Sequence, residues 1–267
     1  MGFDLSTTPL VRLDSGVLTV PVSLETAGNS LDAGALEQAA AALTAVRDGE
    51  LDAGAVLLVG LGHNFCAGGN VAGFAAAEDR SAHVYELAEL LHGLVRLVDA
   101  LDVPFVAAVT GWAAGAGLSL ALGCDVVVGG PGTRLLAAYP GIGLSPDGGM
   151  SWRLPRLVGP AVARSFLLCN EPMEGPRAYE LGMLTHLAAD DAEVADTARG
   201  LAERLAAGPR EALSSIKSLL RASGEATLSA QLDAERDSIA RLAVSPDGVE
   251  GVDAFVAKRR PEFGRRG

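Results

Sequence analysis

The chain has few cysteines and comparatively few basic residues, and it has no long unbroken apolar run; each shortage removes a class of protein. Its three cysteines, Cys66, Cys124 and Cys169, lie far apart and form no CxxC pair. A disulfide framework or a zinc site is therefore not expected, and buried free thiols in a reducing, cytoplasmic compartment are. Lys and Arg number 21 against 33 Asp and Glu, a formal charge of −12. Nucleic acid and anionic membrane surfaces need a basic face, so neither is an expected partner. The N-terminal residues Met1 to Thr8 carry neither a basic nor an apolar leader segment, and no secretory signal is expected. The most apolar stretch, Pro104 to Gly130, is punctuated by five glycines between Gly111 and Gly129 and carries Asp125. It reads as buried strand, helix and strand, not as a membrane span. His63, His83, His92 and His186 have no acids or cysteines at metal spacing, so no metal is expected.

What is present is a rhythm of short apolar runs and glycine turns. With 267 residues, 49% of them hydrophobic, the chain can bury one large core. Leu10–Leu13 and Gly16–Pro21, separated by Asp14 and Ser15, predict a hairpin. Leu31 to Arg47 predicts a helix, capped by Asn29 or Ser30 and ended at Gly49. Ala55 to Val59 predicts a buried strand, and Ser81 to Leu101 an amphipathic helix. Val103 to Val109, Asp125 to Val128 and Arg134 to Ala138 predict further strands, with a helix over Ala116 to Leu122 between them. A loop from Pro140 to Gly149 leads into sequence that is mostly helical beyond Pro160, apart from a strand at Leu184 to Ala188. Strand–helix units followed by helices predict an α/β core with a helical appendage.

Two glycine loops each follow a strand: Phe65-Cys66-Ala67-Gly68-Gly69 and Gly111-Trp112-Ala113-Ala114-Gly115-Ala116-Gly117. Small residues allow close backbone approach, which fits three readings. The loops could simply pack strand on helix. They could bind a dinucleotide, although the third glycine of that fingerprint and its ribose-binding acid are missing. They could hold a carbonyl oxyanion between two backbone N–H groups. Spacing alone leaves the three open.

The flanking residues resemble those of the crotonase (enoyl-CoA hydratase/isomerase) family. The resemblance runs through Phe65–Gly69, Pro104–Gly111, Ala121–Asp125, Gly143–Gly149, Trp152 and Leu154–Gly159 to Glu250–Phe263, in family order along nearly the whole chain. It implies a ββα spiral core over residues 1–195 and a helical trimerisation region over 196–267. It also implies an acyl-CoA thioester as substrate, with coenzyme A part of the substrate and no separate cofactor, and a homotrimer or homohexamer. By the same resemblance Ala67 and Ala116 would supply the oxyanion N–H groups. Cys66, Gly68, Gly69, Asn70, Gly115, Ser119, Tyr139, Trp152 and Lys258 would lie along the substrate. Tyr139 and Trp152 could equally be packing residues, and Lys258, with Arg259 and Arg260, a solvated helix end. Trp112 is expected in the core and His63 near solvent or adenine.

The chain departs from the hydratase pattern at its two catalytic glutamates, whose positions hold Ser119 and Tyr139. Neither is a good base at neutral pH. One carboxylate remains nearby, Asp147 in Ser145-Pro146-Asp147-Gly148-Gly149. It can be read as a turn or helix-capping aspartate. The epoxyphenylacetyl-CoA isomerases of the family have a similar turn, lack both glutamates and use this aspartate as acid/base. The expectation is therefore double-bond isomerisation with Asp147 as the acid/base. The alternatives are hydration of an unknown enoyl-CoA and a non-catalytic acyl-CoA-binding subunit. Pocket shape is expected to depend on residues 70–100 and 130–150.

Overall fold

The computed structural model describes residues 3–264; residues 1–2 and 265–267, the outer ends of the two expected regions, lie outside the described residues. The chain opens with the expected hairpin: β1 (Arg12–Asp14) pairs antiparallel with β2 (Val17–Leu24), and Ser15 and Gly16 turn it with positive φ. Helix α1 (Ala33–Arg47) then crosses to β3 (Ala55–Leu61), which lies parallel to β2. The cap of α1 is neither Asn29 nor Ser30. It is Asp32, whose Oδ1 accepts the Ala35 N–H at 2.9 Å. Asn29 instead is buried and turned inward, donating through Nδ2 to the Leu61 carbonyl.

From β3 the chain passes through α2 (Val71–Ala76) and α3 (Arg80–Ala100) to β4 (Phe105–Val109), again parallel. Every residue of β4 is buried, as expected of an interior parallel strand covered on both faces. Strand β5 (Trp112–Ala114), helix α4 (Ala116–Ala121), β6 (Val126–Gly129) and β7 (Arg134–Leu136) follow. Then come α5 (Met150–Cys169), broken at Gly159, the two-residue β8 (Met173–Glu174), α6 (Gly175–Glu180) and β9 (His186–Leu187).

The strands form two sheets, β1-β2-β3-β4-β6-β9 and β5-β7-β8. After β4 and again after β6 the chain steps from the first sheet into the second before its next helix. After β3, Cys66 makes the same step through a single parallel bridge to Ala113. This is a spiral of ββα turns, the α/β architecture expected. It brings the ends of β3 and β4, and hence both glycine loops, side by side.

Helix α7 (Val194–Ala206) lays Ala198, Ala202 and Ala206 against Val17, Leu57 and Val106 of the first sheet, so it covers the core. The section that leaves the core is α8 (Arg210–Ser223), α9 (Leu228–Leu242) and α10 (Pro246–Val256). Lys217 ties α8 back, donating to the Val103 carbonyl at 3.0 Å and Asp125 at 2.9 Å. These helices expose Leu228, Ile239, Val252 and Phe255, an apolar surface on their outer side. Among the described residues no helix is long and apolar enough to cross a membrane.

Two expectations of burial fail. Trp112 is exposed while Ala113 and Ala114 behind it are buried, because it is the first residue of β5, at the strand's end, although it pairs with Arg134 in the second sheet. Cys169 is exposed at the end of α5, whereas Cys66 is buried and Cys124 is half-buried. His63, as expected, stands in solvent, its side chain 93% exposed.

Candidate active site

A cavity of about 270 Å³ opens between the glycine loops, α3 and the Asp147 turn. Val84, Leu87, Ala88 and Leu91 form one wall, the spacing that puts four residues on one face of α3. Val71 and Phe74 of α2 and Ile142 and Leu144 of the turn close the rest of the apolar lining. These fall in the two segments expected to shape the pocket. Ala67, Gly68, Gly69, Gly115, Ala116, Tyr139 and Asp147 also line it.

The loops are held close by Gly117. A Cβ there would collide with the Cβ of Cys66 and come within 2.7 Å of its Sγ. Cys66 accordingly lies behind the cavity wall, where burial pushes its thiol up to about 12. Asn70 caps α2 through the Gly73 N–H and does not line the cavity.

Backbone hydrogen bonding decides which N–H groups are available. Ala67, the expected donor of the first loop, already gives its N–H to the Asn29 carbonyl at 2.7 Å. It cannot serve an oxyanion without breaking that bond, and the assignment to Ala67 is corrected on this ground. At the next residue, the Gly68 carbonyl accepts the Leu31 N–H at 2.7 Å. Across a trans peptide, the N–H of Gly69 points the opposite way, off the Leu31 side. That N–H has no partner among the described residues, and Gly69 lines the cavity. In the second loop, Gly115 gives its N–H to the Leu136 carbonyl, and its carbonyl accepts the Ser119 N–H. Ala116 then opens α4, and its N–H is one of the groups that a helix start leaves without an internal partner.

Beside these donors stands a hydroxyl–carboxylate network. Tyr139 donates its phenol to Asp147 Oδ1 at 2.7 Å. Burial, reinforced by the Asp147 charge, pushes the phenol far above its ordinary value, so it stays protonated. Ser119, 1% exposed, has its Oγ 3.2 Å from the phenol oxygen and 2.9 Å from the Asp147 main-chain carbonyl. Each hydroxyl has one proton to give. With the phenol's committed to Asp147, the serine proton goes to its nearest acceptor, the Asp147 carbonyl, with the Gly115 carbonyl at 3.4 Å as a further acceptor. Thus Ser119 and Tyr139, two positions expected along the substrate, meet at Asp147, with the Tyr139 ring on the cavity wall and Ser119 behind it.

The Asp147 side chain does not cap a helix. Helix α5 begins at Met150 with Gly149 before it and no side-chain cap, and the carboxylate, 30% exposed, faces the cavity. Trp152 and Lys258 are not brought to this site. Trp152 is exposed on α5 with the Arg156 guanidinium stacked on its ring at 3.9 Å. Lys258 sits just past α10 with φ 53°. Conversely, His92 of α3 comes to the Asp147 turn, its Nε2 3.3 Å from the Gly148 nitrogen. Its local sequence carried no sign of this, since the turn is distant along the chain.

Comparison with solved structures gives the class. The crystal structure of an enoyl-CoA hydratase from Polaromonas sp. JS666 superposes with a TM-score of 0.88 at 34% identity, covering 95% of this chain and 98% of that one. The fold is that of the crotonases, and the protein is an acyl-CoA enzyme. Residues 12–266 match the family model described as enoyl-CoA hydratase/isomerase, and the chain belongs to that family. It is 37% identical over 260 residues to the 1,2-epoxyphenylacetyl-CoA isomerase of Escherichia coli K12, covering 95% of this chain and 97% of that protein. The 2,3-dehydroadipyl-CoA hydratase of the same organism is 37% identical over 166 residues, 62% of this chain and 65% of that protein.

Proposed function

We propose that this enzyme moves a double bond within an enoyl-CoA thioester, with Asp147 as its acid/base and the N–H groups of Gly69 and Ala116 as its oxyanion donors. One observation carries the reading: at the two positions where hydratases of the family hold glutamates, this chain has hydroxyls, and one of them clamps Asp147. A phenol held protonated and a serine without a basic neighbour cannot activate water. Among the described residues, Asp147 is the one carboxylate lining the cavity.

In this mechanism the carboxylate removes the proton on C2 of a 3-enoyl thioester. The electron pair spreads to the thioester oxygen as a dienolate, stabilised by the two N–H groups by several kcal/mol. The carboxyl group then returns the same proton to C4, leaving a conjugated 2-enoyl thioester. No water is consumed, and one acid/base suffices. The similarity to a named isomerase supports the reading, although other relatives are named hydratases.

The test is Asp147→Asn, assayed with 3-enoyl-CoA and 2-enoyl-CoA by the absorbance of the conjugated thioester. The wild type should generate that absorbance from the 3-enoyl substrate and not consume it from the 2-enoyl one. The variant should lose ~10²–10⁴-fold in kcat and still bind acyl-CoA. Wild-type turnover by the variant refutes the role of Asp147, and steady hydration of 2-enoyl-CoA favours the hydratase.

A further inference from the structure

His92 takes no part in the proton transfer proposed above, yet it is built into the turn that carries it. It follows Leu91 of the cavity wall on α3. Its Nε2 accepts the Gly148 N–H at 3.3 Å and lies 4.0 Å from Asp147 Oδ2. A neutral imidazole that accepts at Nε2 carries its proton on Nδ1. That atom faces Glu89 Oε1 at 3.7 Å.

The Asp147–Gly148 peptide group is thereby gripped at both ends. Ser119 Oγ donates to its carbonyl at 2.9 Å, and His92 Nε2 accepts from its N–H. Gly148 itself is left-handed, with φ 59°, and packs so closely on Ser119 that an added Cβ would lie 2.8 Å from that residue's Cβ, so the turn has room for glycine alone. A third contact, from Tyr139, holds Oδ1. Oδ2 is the carboxylate oxygen left to meet a substrate; the held peptide fixes where its Cα–Cβ bond starts, and the Tyr139 bond to Oδ1 fixes how the carboxylate is turned.

We propose that His92 is a positioning residue. By accepting the Gly148 N–H it fixes the Asp147 backbone and so aims Oδ2 at the substrate carbon. The inference rests on Asp147 being the acid/base.

The experiment compares His92→Leu, which removes the acceptor, with His92→Gln, whose Oε1 can take the place of Nε2, and with Asp147→Asn, all in the full chain. Steady-state kinetics on 3-enoyl-CoA and thermal melts are measured for each. His92→Leu should lose ~10- to 10²-fold in kcat, the scale of a sub-ångström to ångström misplacement, with KM unchanged. His92→Gln should recover most of the loss, because acceptor geometry and not the ring itself is required. A wild-type kcat in His92→Leu overturns the proposal. So does an equal loss in both His92 variants, or a rise in KM at constant kcat. If His92→Leu melts too low to assay, His92→Gln decides alone: near wild-type kcat and KM support the proposal, and a ~10-fold or greater loss of kcat overturns it. Activity in Asp147→Asn instead refutes the acid/base reading itself, whereas an inactive Asp147→Asn beside a fully active His92→Leu refutes only the role of His92.

Discussion

Replacing Tyr139 with Phe exchanges the phenol hydroxyl for a hydrogen and leaves the ring on the cavity wall. The phenol gives a 2.7 Å bond to Asp147 Oδ1. A bond to a charged acceptor contributes ~1.5–3 kcal/mol when buried. The Asp147 side chain is 30% exposed, so water can take over part of that bond. A loss near the low end, ~1–1.5 kcal/mol, is therefore expected, which for a chain of this size lowers Tm by ~2–6 °C. Ser119 is not orphaned, because its hydroxyl keeps the Asp147 and Gly115 carbonyls as acceptors. The larger effect falls on the reaction. With Oδ1 released, the carboxylate can rotate away from the substrate, and kcat should fall ~10- to 10²-fold. KM should hold, since the ring that lines the cavity is retained. The assay is the growth of conjugated-thioester absorbance from 3-enoyl-CoA, alongside a thermal melt. A wild-type kcat with a lowered Tm would show that the phenol stabilises the fold without orienting Asp147, and would refute the reasoning.

Three further outcomes follow from packing. In the native protein at pH 8 a thiol reagent should modify Cys169 quickly, half-buried Cys124 slowly and Cys66 only on unfolding, because burial pushes both of the latter up to about 12. A thiol whose ionisation is resisted in the fold leaves stability intact below its unfolded value of ~8.5. Stability should then fall as pH rises from there toward about 12, and a flat alkaline profile would contradict this. Gly117→Ala should cost ~1–3 kcal/mol in a denaturant melt, since its Cβ must push α4 away from Cys66. The same shift separates Ala116 from the first loop, so activity should fall with stability; an unchanged midpoint would show that the loops can part freely.

The strands and the long helices were legible because burial leaves a period in the sequence. The continuous apolar run of β4 and the spacing of Val84, Leu87, Ala88 and Leu91 on α3 are marks of this kind. Asp147 was singled out through the resemblance of its turn to that of the epoxyphenylacetyl-CoA isomerases, and it lines the cavity. What sequence could not show was the direction of single polar groups. Asn29 looks like a helix cap, but Asp32 takes that role and leaves Asn29 to accept the Ala67 N–H. That one tertiary bond occupies the Ala67 N–H, which on the proposed reading passes the oxyanion role to Gly69, and no local pattern around residue 67 reports it. His92 was missed for the same reason: its partner, the Gly148 N–H, is supplied by a distant segment.

The replaced glutamates explain more when taken together with the lining than alone. Hydration needs a water held between a base and the alkene, and holding it takes polar groups on more than one side. Here the α3 wall is Val84, Leu87, Ala88 and Leu91, and the polar side chains that line the cavity are Tyr139, Ser145 and Asp147. The Tyr139 proton is already given to Asp147, and its oxygen has Ser119 within hydrogen-bonding distance. On the proposed reading, a dienolate formed in this cavity meets apolar carbon on one side and a single carboxyl group on the other. Its cheapest exit is to take back the proton that the carboxyl group holds. The two hydroxyls that replaced the acids then have a common effect. They remove the means of adding water, and they fix the one remaining acid where it can reach both carbons of the migrating bond.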